Sequence, residues 1–127
     1  MLRKIAFTAV LLALTVGPAL AQGDAVKGKK VFRKCKACHV VNKEKNRVGP
    51  HLVGIIGRSA ATAEKFKYSK AMKAKAAEGL VWDEASIAEF LKAPKKYLKG
   101  TKMAFVGLKK QDDIDNVIAY MKAESSK

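Results

Sequence analysis

Two long stretches of this 127-residue chain follow no regular pattern, and they constrain its fold more than any other feature. From Val40 to Tyr68, and again from Lys95 to Leu108, apolar residues recur with neither a helical period nor strand alternation. Gly49, Pro50, Gly54 and Gly57 punctuate the first stretch, and Gly100 and Gly107 the second. A structureless connection of about 29 residues is uncommon inside a compact domain unless the loop is functional.

The segments between read as helices. Asp24 can cap a helix from Ala25 to Lys34, and Ser69 a short Ala/Lys-rich helix ending at Gly79. Asp83 opens another, Glu84 to Lys92, with Ile87, Phe90 and Leu91 on one face and Pro94 stopping it. The last runs from Asp112 to Ala123, where Ile114, Val117, Ile118 and Met121 line one side. No run alternates with period two, so the class is all-α with long loops. Much of the apolar content is alanine, and a domain this small with few large side chains lies near the margin for a protein-only core. One explanation covers both loops and core: the chain wraps something large, flat and apolar that the sequence does not encode.

The first 21 residues read as an address. Arg3 and Lys4 precede an apolar run from Ile5 to Val16, Gly17-Pro18 breaks it, and Ala19-Leu20-Ala21 supplies a small-x-small cleavage pattern. An uncleaved anchor is the competing reading, but the segment is short of the roughly 20 residues a spanning helix needs. Cleavage after Ala21 leaves one domain, residues 22–127, in an exported compartment, a bacterial periplasm. Losing Arg3 and Lys4 lowers the formal charge from +15 to +13, still strongly basic. A large multidomain enzyme, a polytopic membrane protein and a disulfide-dense scaffold are excluded. No later stretch is apolar enough to cross a membrane.

The chemistry is concentrated in Cys35-Lys36-Ala37-Cys38-His39. Cysteines at i, i+3 project from one side of a helical turn, where each thiol can add to a porphyrin vinyl group. His39 points from the same turn toward an iron. This is the C-x-x-C-H pattern of covalent haem attachment. A thioredoxin-like dithiol belongs in a βαβ setting that is not visible here. A zinc site would have to draw on Cys35, Cys38, His39 and His51 together. A disulfide across an i, i+3 helical pair is geometrically poor. For the sixth position of the iron the candidates are His51, Met72, Met103 and Met121. Met121 reads as core filler, Met72 as partly exposed, and His51 needs a tight loop around the haem edge. Met103 lies in a glycine-flanked loop far enough along the chain to reach the other face, and is the residue selected.

The ordered set Gly28-Lys29-Lys30-Val31-Phe32, Cys35 to His39, Gly49-Pro50-His51-Leu52 with Gly57-Arg58, Trp82, Pro94-Lys95-Lys96-Tyr97, Gly100-Thr101-Lys102-Met103 and Ala119-Tyr120 resembles class I cytochrome c over residues 23–127. The resemblance implies the cytochrome c fold, about four to five helices and long loops wrapped around one haem c bound through Cys35 and Cys38. It implies His39 and Met103 as axial ligands and the Pro50 carbonyl as acceptor from His39. Arg58, Tyr68, Trp82 and Thr101 are implied around the haem propionates. Gly28 is implied at a close helix crossing packed by Phe32 and Tyr120, and Phe105 over the exposed haem edge. Phe90 and Met72 depart from the mitochondrial pattern of tyrosine and asparagine, and one residue fewer separates Phe32 from Cys35.

The function implied is a monomeric one-electron carrier between a membrane quinol-oxidising complex and an oxidase, reaction centre or reductase. Two strong axial ligands leave no vacant position for oxygen or peroxide, which argues against an enzyme. A nucleic-acid binder fits the charge, but export and C-x-x-C-H oppose it. A membrane-tethered carrier follows if the leader is retained. Lys34, Lys36, Lys95, Lys96, Lys102, Lys109 and Lys110 flank the haem motif and the Met103 loop, and are expected to face acidic docking surfaces.

Overall fold

The structure is a computed structural model, and it describes residues 23–125 and 127; the expected leader and its cleavage site lie outside the described residues. The elements in chain order are α1 (Ala25–Phe32), β1 (Arg58–Ser59), α2 (Lys70–Ala77), β2 (Val81–Trp82), α3 (Glu84–Lys92), α4 (Pro94–Tyr97) and α5 (Gln111–Glu124).

Capping chemistry sets the helix starts. The Asp24 carboxylate accepts from the Val26 and Lys27 amides, the Ser69 hydroxyl from Met72, and the Asp83 carboxylate from Ser86. Gly79 closes the segment after α2 in the left-handed region at φ +89°. α1 stops two residues before the expected Lys34. Beyond Phe32 the chain continues as single turns, Lys34 donating to the Val31 carbonyl and Cys35 to that of Phe32.

One expectation needs correction, that the chain after Pro94 is wholly irregular. Pro94 ends α3 but also begins the one-turn helix α4, where its fixed φ and missing N–H suit the first helical position. The chain is all-α as expected, with one addition, a two-residue antiparallel ladder joining Arg58 to Trp82 and Ser59 to Val81. Two residues cannot display a period, so periodicity cannot find such a ladder.

α1 and α5 make the most extensive contact between helices. A Cβ on Gly28 would lie 1.8 Å from the Asn116 carbonyl oxygen, so only glycine lets the backbones meet there. Phe32 and Tyr120 pack beside the contact with ring centroids 5.3 Å apart. Ile114 and Val117 of α5 are each 1% exposed, and with Val31, Ile87 and Leu91 they form the protein floor of the core. Above that floor the core opens into a cleft.

Candidate functional site

The cleft has a volume of about 280 Å³ and is walled mainly by apolar side chains. Cys35, Cys38 and His39 contribute one part of its lining, and Thr101, Lys102, Met103, Ala104 and Phe105 another. Helical hydrogen bonds close the Cys–His turn: the amides of Cys38 and His39 both donate to the Cys35 carbonyl, at 3.1 and 2.9 Å. The following loop folds back over this turn, Gly49 donating to the Cys38 carbonyl at 2.9 Å and Leu52 to that of Val40 at 2.7 Å. That return brings the Pro50 carbonyl 2.7 Å from His39 Nδ1. A carbonyl can only accept, so Nδ1 carries the proton and Nε2 keeps the free lone pair. Burial lowers the proton affinity of His39 despite the opposing effect of the Pro50 bond, which keeps the ring in the neutral form a metal needs.

Burial pushes the Cys35 thiol up to about 11. A dithiol redox centre needs the reverse, a thiol acidified by its surroundings, so the environment of Cys35 weighs against that reading. Among the described residues no three His, Cys, Asp or Glu side chains gather as a metal-binding group, so Cys35, Cys38, His39 and His51 do not come together as the zinc alternative requires. His51 is turned to other partners: its amide donates to Asn46 Oδ1, and its Nδ1 receives the Val53 amide. The sulfur candidates are not separated by the cleft itself, since Met72, Met103 and Met121 all line it. Met121, expected as core filler, is both buried and part of that lining.

Arg58, Tyr68 and Trp82 also line the cleft. The small ladder holds Arg58 opposite Trp82, and Trp82 packs against Phe90 at 5.1 Å, with Tyr97 edge-on to Phe90 at 5.9 Å. Phe90 therefore contributes aromatic packing where a tyrosine would bring a hydroxyl. The Tyr68 hydroxyl accepts from the Ala63 amide at 2.9 Å, and that of Thr101 from the Met103 amide at 3.2 Å; each still has its own proton to donate. Arg58 donates from Nη1 to the Val53 carbonyl and from Nη2 to the His51 carbonyl, both at 2.9 Å. Its Nε is buried with no partner among the described residues. A buried donor left unpaired is costly, so an acceptor belongs beside it, and a carboxylate on a flat apolar ligand is one that fits.

Sequence reasoning missed three residues that shape this cleft. Asn46 ties two loops together, accepting from His51 and donating to the Glu64 carbonyl at 2.8 Å. His51 buttresses Arg58. Gly49 leaves room for the His39 ring, because a Cβ there would sit 2.3 Å from Cε1. Gly49 and His51 both stood in the Gly49-Pro50-His51-Leu52 motif already noticed, though neither was given this role; a single Asn in a loop carries no such signal.

Of the seven lysines singled out, Lys34 and Lys102 line the cleft, and all seven are exposed. The ion pairs among the described residues join Lys75 to Glu78, Lys92 to Glu89, Lys122 to Glu84 and Lys127 to Glu124. None of the seven takes part in them. Also among the described residues, no helix is long and apolar enough to cross a membrane.

A helical shell closed over a Cys-x-x-Cys-His turn, with an apolar cleft and a buried unpaired guanidinium, defines a c-type haem domain. The chain belongs to the cytochrome c family, whose model matches residues 25–125. It is 53% identical over 102 residues to cytochrome c2 of Afifella marina, covering 79% of this chain and 82% of that one. It is 48% identical over 101 residues to cytochrome c2 of Agrobacterium tumefaciens (strain II Chrys), covering 79% and 91%. The structure of cytochrome cH from Methylobacterium extorquens superposes with a TM-score of 0.72 at 45% identity, over 80% of this chain and 99% of that one. The fold is the cytochrome c fold, the prosthetic group is covalent haem c, and the protein is an electron carrier rather than an enzyme.

Proposed function

We propose that this chain, exported to the periplasm and cleaved after Ala21, carries single electrons through a haem whose iron His39 and Met103 would hold. The observation that carries the reading is the meeting of the Cys35–His39 turn and the Thr101–Phe105 segment at one apolar cleft. When bound, the haem supplies a one-electron iron couple. Cys35 and Cys38 would hold the haem through thioether bonds, each thiol adding its sulfur and its hydrogen across one vinyl group without any oxidation. His39 offers Nε2 to the iron while Pro50 holds the ring by Nδ1, and that bond makes the imidazole a stronger donor. Met103 offers a soft, uncharged thioether, which favours the reduced state. The apolar walls, Ile87 and Leu91 among them, exclude water and so disfavour the extra charge of the oxidised state. Arg58, Tyr68, Trp82 and Thr101 hold the propionate side.

The electron arrives from a quinol-oxidising membrane complex and leaves to a terminal acceptor, each presenting an acidic face to the lysines around the cleft.

The test separates three sulfurs that share one cleft. The ferric protein should show the weak near-infrared band of sulfur-to-iron charge transfer, and Met103→Ala should abolish it. Met72→Leu and Met121→Leu should keep it. Loss of the band in Met72→Leu, with retention in Met103→Ala, would move the ligand to Met72 and sink the assignment. The intact mass should exceed the polypeptide from Gln22 onward by one haem.

A further inference from the structure

We propose that His51 is a positioning residue for electron transfer: as a neutral ring it closes the 51–53 turn onto Arg58 and so aims the unpaired guanidinium Nε into the cleft. The inference rests on the carrier reading above, because the anion that Nε awaits is the carboxylate edge of the bound haem.

His51 is 9% exposed, yet its ring does not line the cleft, and no other role described for the domain uses it. Its Nδ1 is faced by two donors, the Val53 amide at 3.3 Å and Arg58 Nη1 at 3.4 Å. Neither donor can accept, so Nδ1 must present its lone pair and the ring proton sits on Nε2. The bond to the Val53 amide closes a local turn from side chain to backbone two residues on. That turn displays two carbonyls, His51 and Val53, and both accept from Arg58 at 2.9 Å. Two residues, His51 and Val53, thus supply every hydrogen-bond partner the guanidinium has among the described residues, leaving Nε as its one nitrogen without a partner there.

Protonation of Nδ1 would turn the acceptor into a donor facing two donors. The Val53 bond would break, the turn would loosen, and Arg58 would lose the frame that aims it. The charged groups around the pair are few. Burial and the Arg58 charge both lower the proton affinity of His51, and Glu44 opposes them. On Arg58, burial weighs against the charge while Tyr68 and Glu44 support it. Asn46 meets the His51 amide as a neutral acceptor, so the loop on that side adds no charge at the contact. The bound propionates add their own negative charge on the Arg58 side. The neutral, Nε2-protonated ring is the form that keeps this cluster intact.

The experiment uses the full ferrous holoprotein, which is diamagnetic, with ¹⁵N NMR on His51 and on the Arg58 Nε–H group. At neutral pH His51 should show a protonated Nε2 and a bare Nδ1, and the Arg58 Nε–H should exchange slowly with water. As pH falls, the protection of this proton, taken relative to its base-catalysed intrinsic exchange, should drop in step with His51 protonation. His51→Asn puts an amide oxygen where Nδ1 stood, so it should keep the turn and the slow exchange with no titration. His51→Leu should have about tenfold less protection than the wild type at neutral pH, the factor expected from losing one net hydrogen bond, and no His51-linked change as pH falls. Its midpoint potential at neutral pH should fall, because a loosened Arg58 no longer fixes positive charge beside the iron. A proton on Nδ1, or Arg58 exchange that ignores His51 protonation, overturns the proposal, and the wild-type titration decides this even if His51→Leu does not fold. Either result with the haem mass and the sulfur band intact leaves the carrier reading standing. Loss of both in the wild-type protein would mean that the carrier reading itself had failed.

Discussion

A single methyl group at position 49 would meet the ring on which the proposed coordination depends. The Cβ of an alanine there would stand 2.3 Å from His39 Cε1 and 2.7 Å from Nδ1. The ring cannot retreat without stretching its 2.7 Å bond to the Pro50 carbonyl, one residue from the intruding methyl. Gly49→Ala should therefore cost about 1–3 kcal/mol, the usual range for overpacking. A melt of the holoprotein should show it as a fall of roughly 4–8 °C per kcal/mol. An unchanged melting temperature would mean that the loop shifts freely and that the Pro50 bond is not its anchor. His51 gives a second prediction at this scale. Its proton affinity in the fold is lowered from the ordinary 6.5, first by burial and then by Arg58, so the unfolded chain binds the proton more readily. The stability tied to its neutral form is complete above about pH 6.5 and is lost as pH falls toward the lower folded value. Denaturant titrations at stepped pH should show this acid limb in the wild type and a flatter one in His51→Asn. Equal slopes in the two proteins would place the acid sensitivity elsewhere.

At the scale of elements, the α1–α5 contact carries the protein's share of the core. At Gly28 the space is closed by backbone: a Cβ would meet the Asn116 carbonyl oxygen at 1.8 Å and its carbon at 2.5 Å. Side chains can swing away, but the carbonyl of a helix cannot without breaking its own ladder. Gly28→Ala should cost about 3 kcal/mol or more, the upper end of overpacking penalties. The exposed neighbour substitution Lys29→Ala should stay within about 0.5 kcal/mol. Guanidinium unfolding of the two variants checks the contrast, and similar midpoints would mean that α1 can ride outward on α5. These helices were legible in advance because Asp24, Asp83 and the Ile114–Met121 stripe each state a start or a face in local chemistry. So was the Cys35–His39 turn, whose reactive groups are adjacent in sequence. The ladder between Arg58 and Trp82 was not, since its strands are two residues long and lie far apart in the chain. The brace of Asn46, His51 and Val53 around Arg58 was hidden for a related reason: it is made mostly of backbone carbonyls and amides, which every residue possesses.

The whole molecule is a strongly positive body, and the position of that charge bears on how it meets partners. Its ion pairs among the described residues neutralise Lys75, Lys92, Lys122 and Lys127 in place, whereas Lys34, Lys36, Lys95, Lys96, Lys102, Lys109 and Lys110 take part in none. Lys34 and Lys102 line the cleft itself, on the Cys–His side and the Met103 side respectively. If the partner's docking face is acidic, as proposed, uncompensated charge at that mouth would turn the cleft toward it before contact, and such steering raises association rates by about 10–1000-fold. Salt should erase it as the screening length contracts from about 10 Å at 0.1 M to about 3 Å at 1 M. Second-order rates with the physiological acceptor should therefore fall steeply with ionic strength. Lys36→Gln, Lys96→Gln and Lys102→Gln should each slow the reaction and flatten its salt dependence. Lys75→Gln and Lys122→Gln remove the same unit of charge from positions that flank neither the Cys35–His39 turn nor the Met103 loop, and should slow the reaction far less. Stopped-flow kinetics across a salt series compares the two sets at equal net charge. Equal slowing by both would mean that only total charge matters and that the cleft mouth is no docking face.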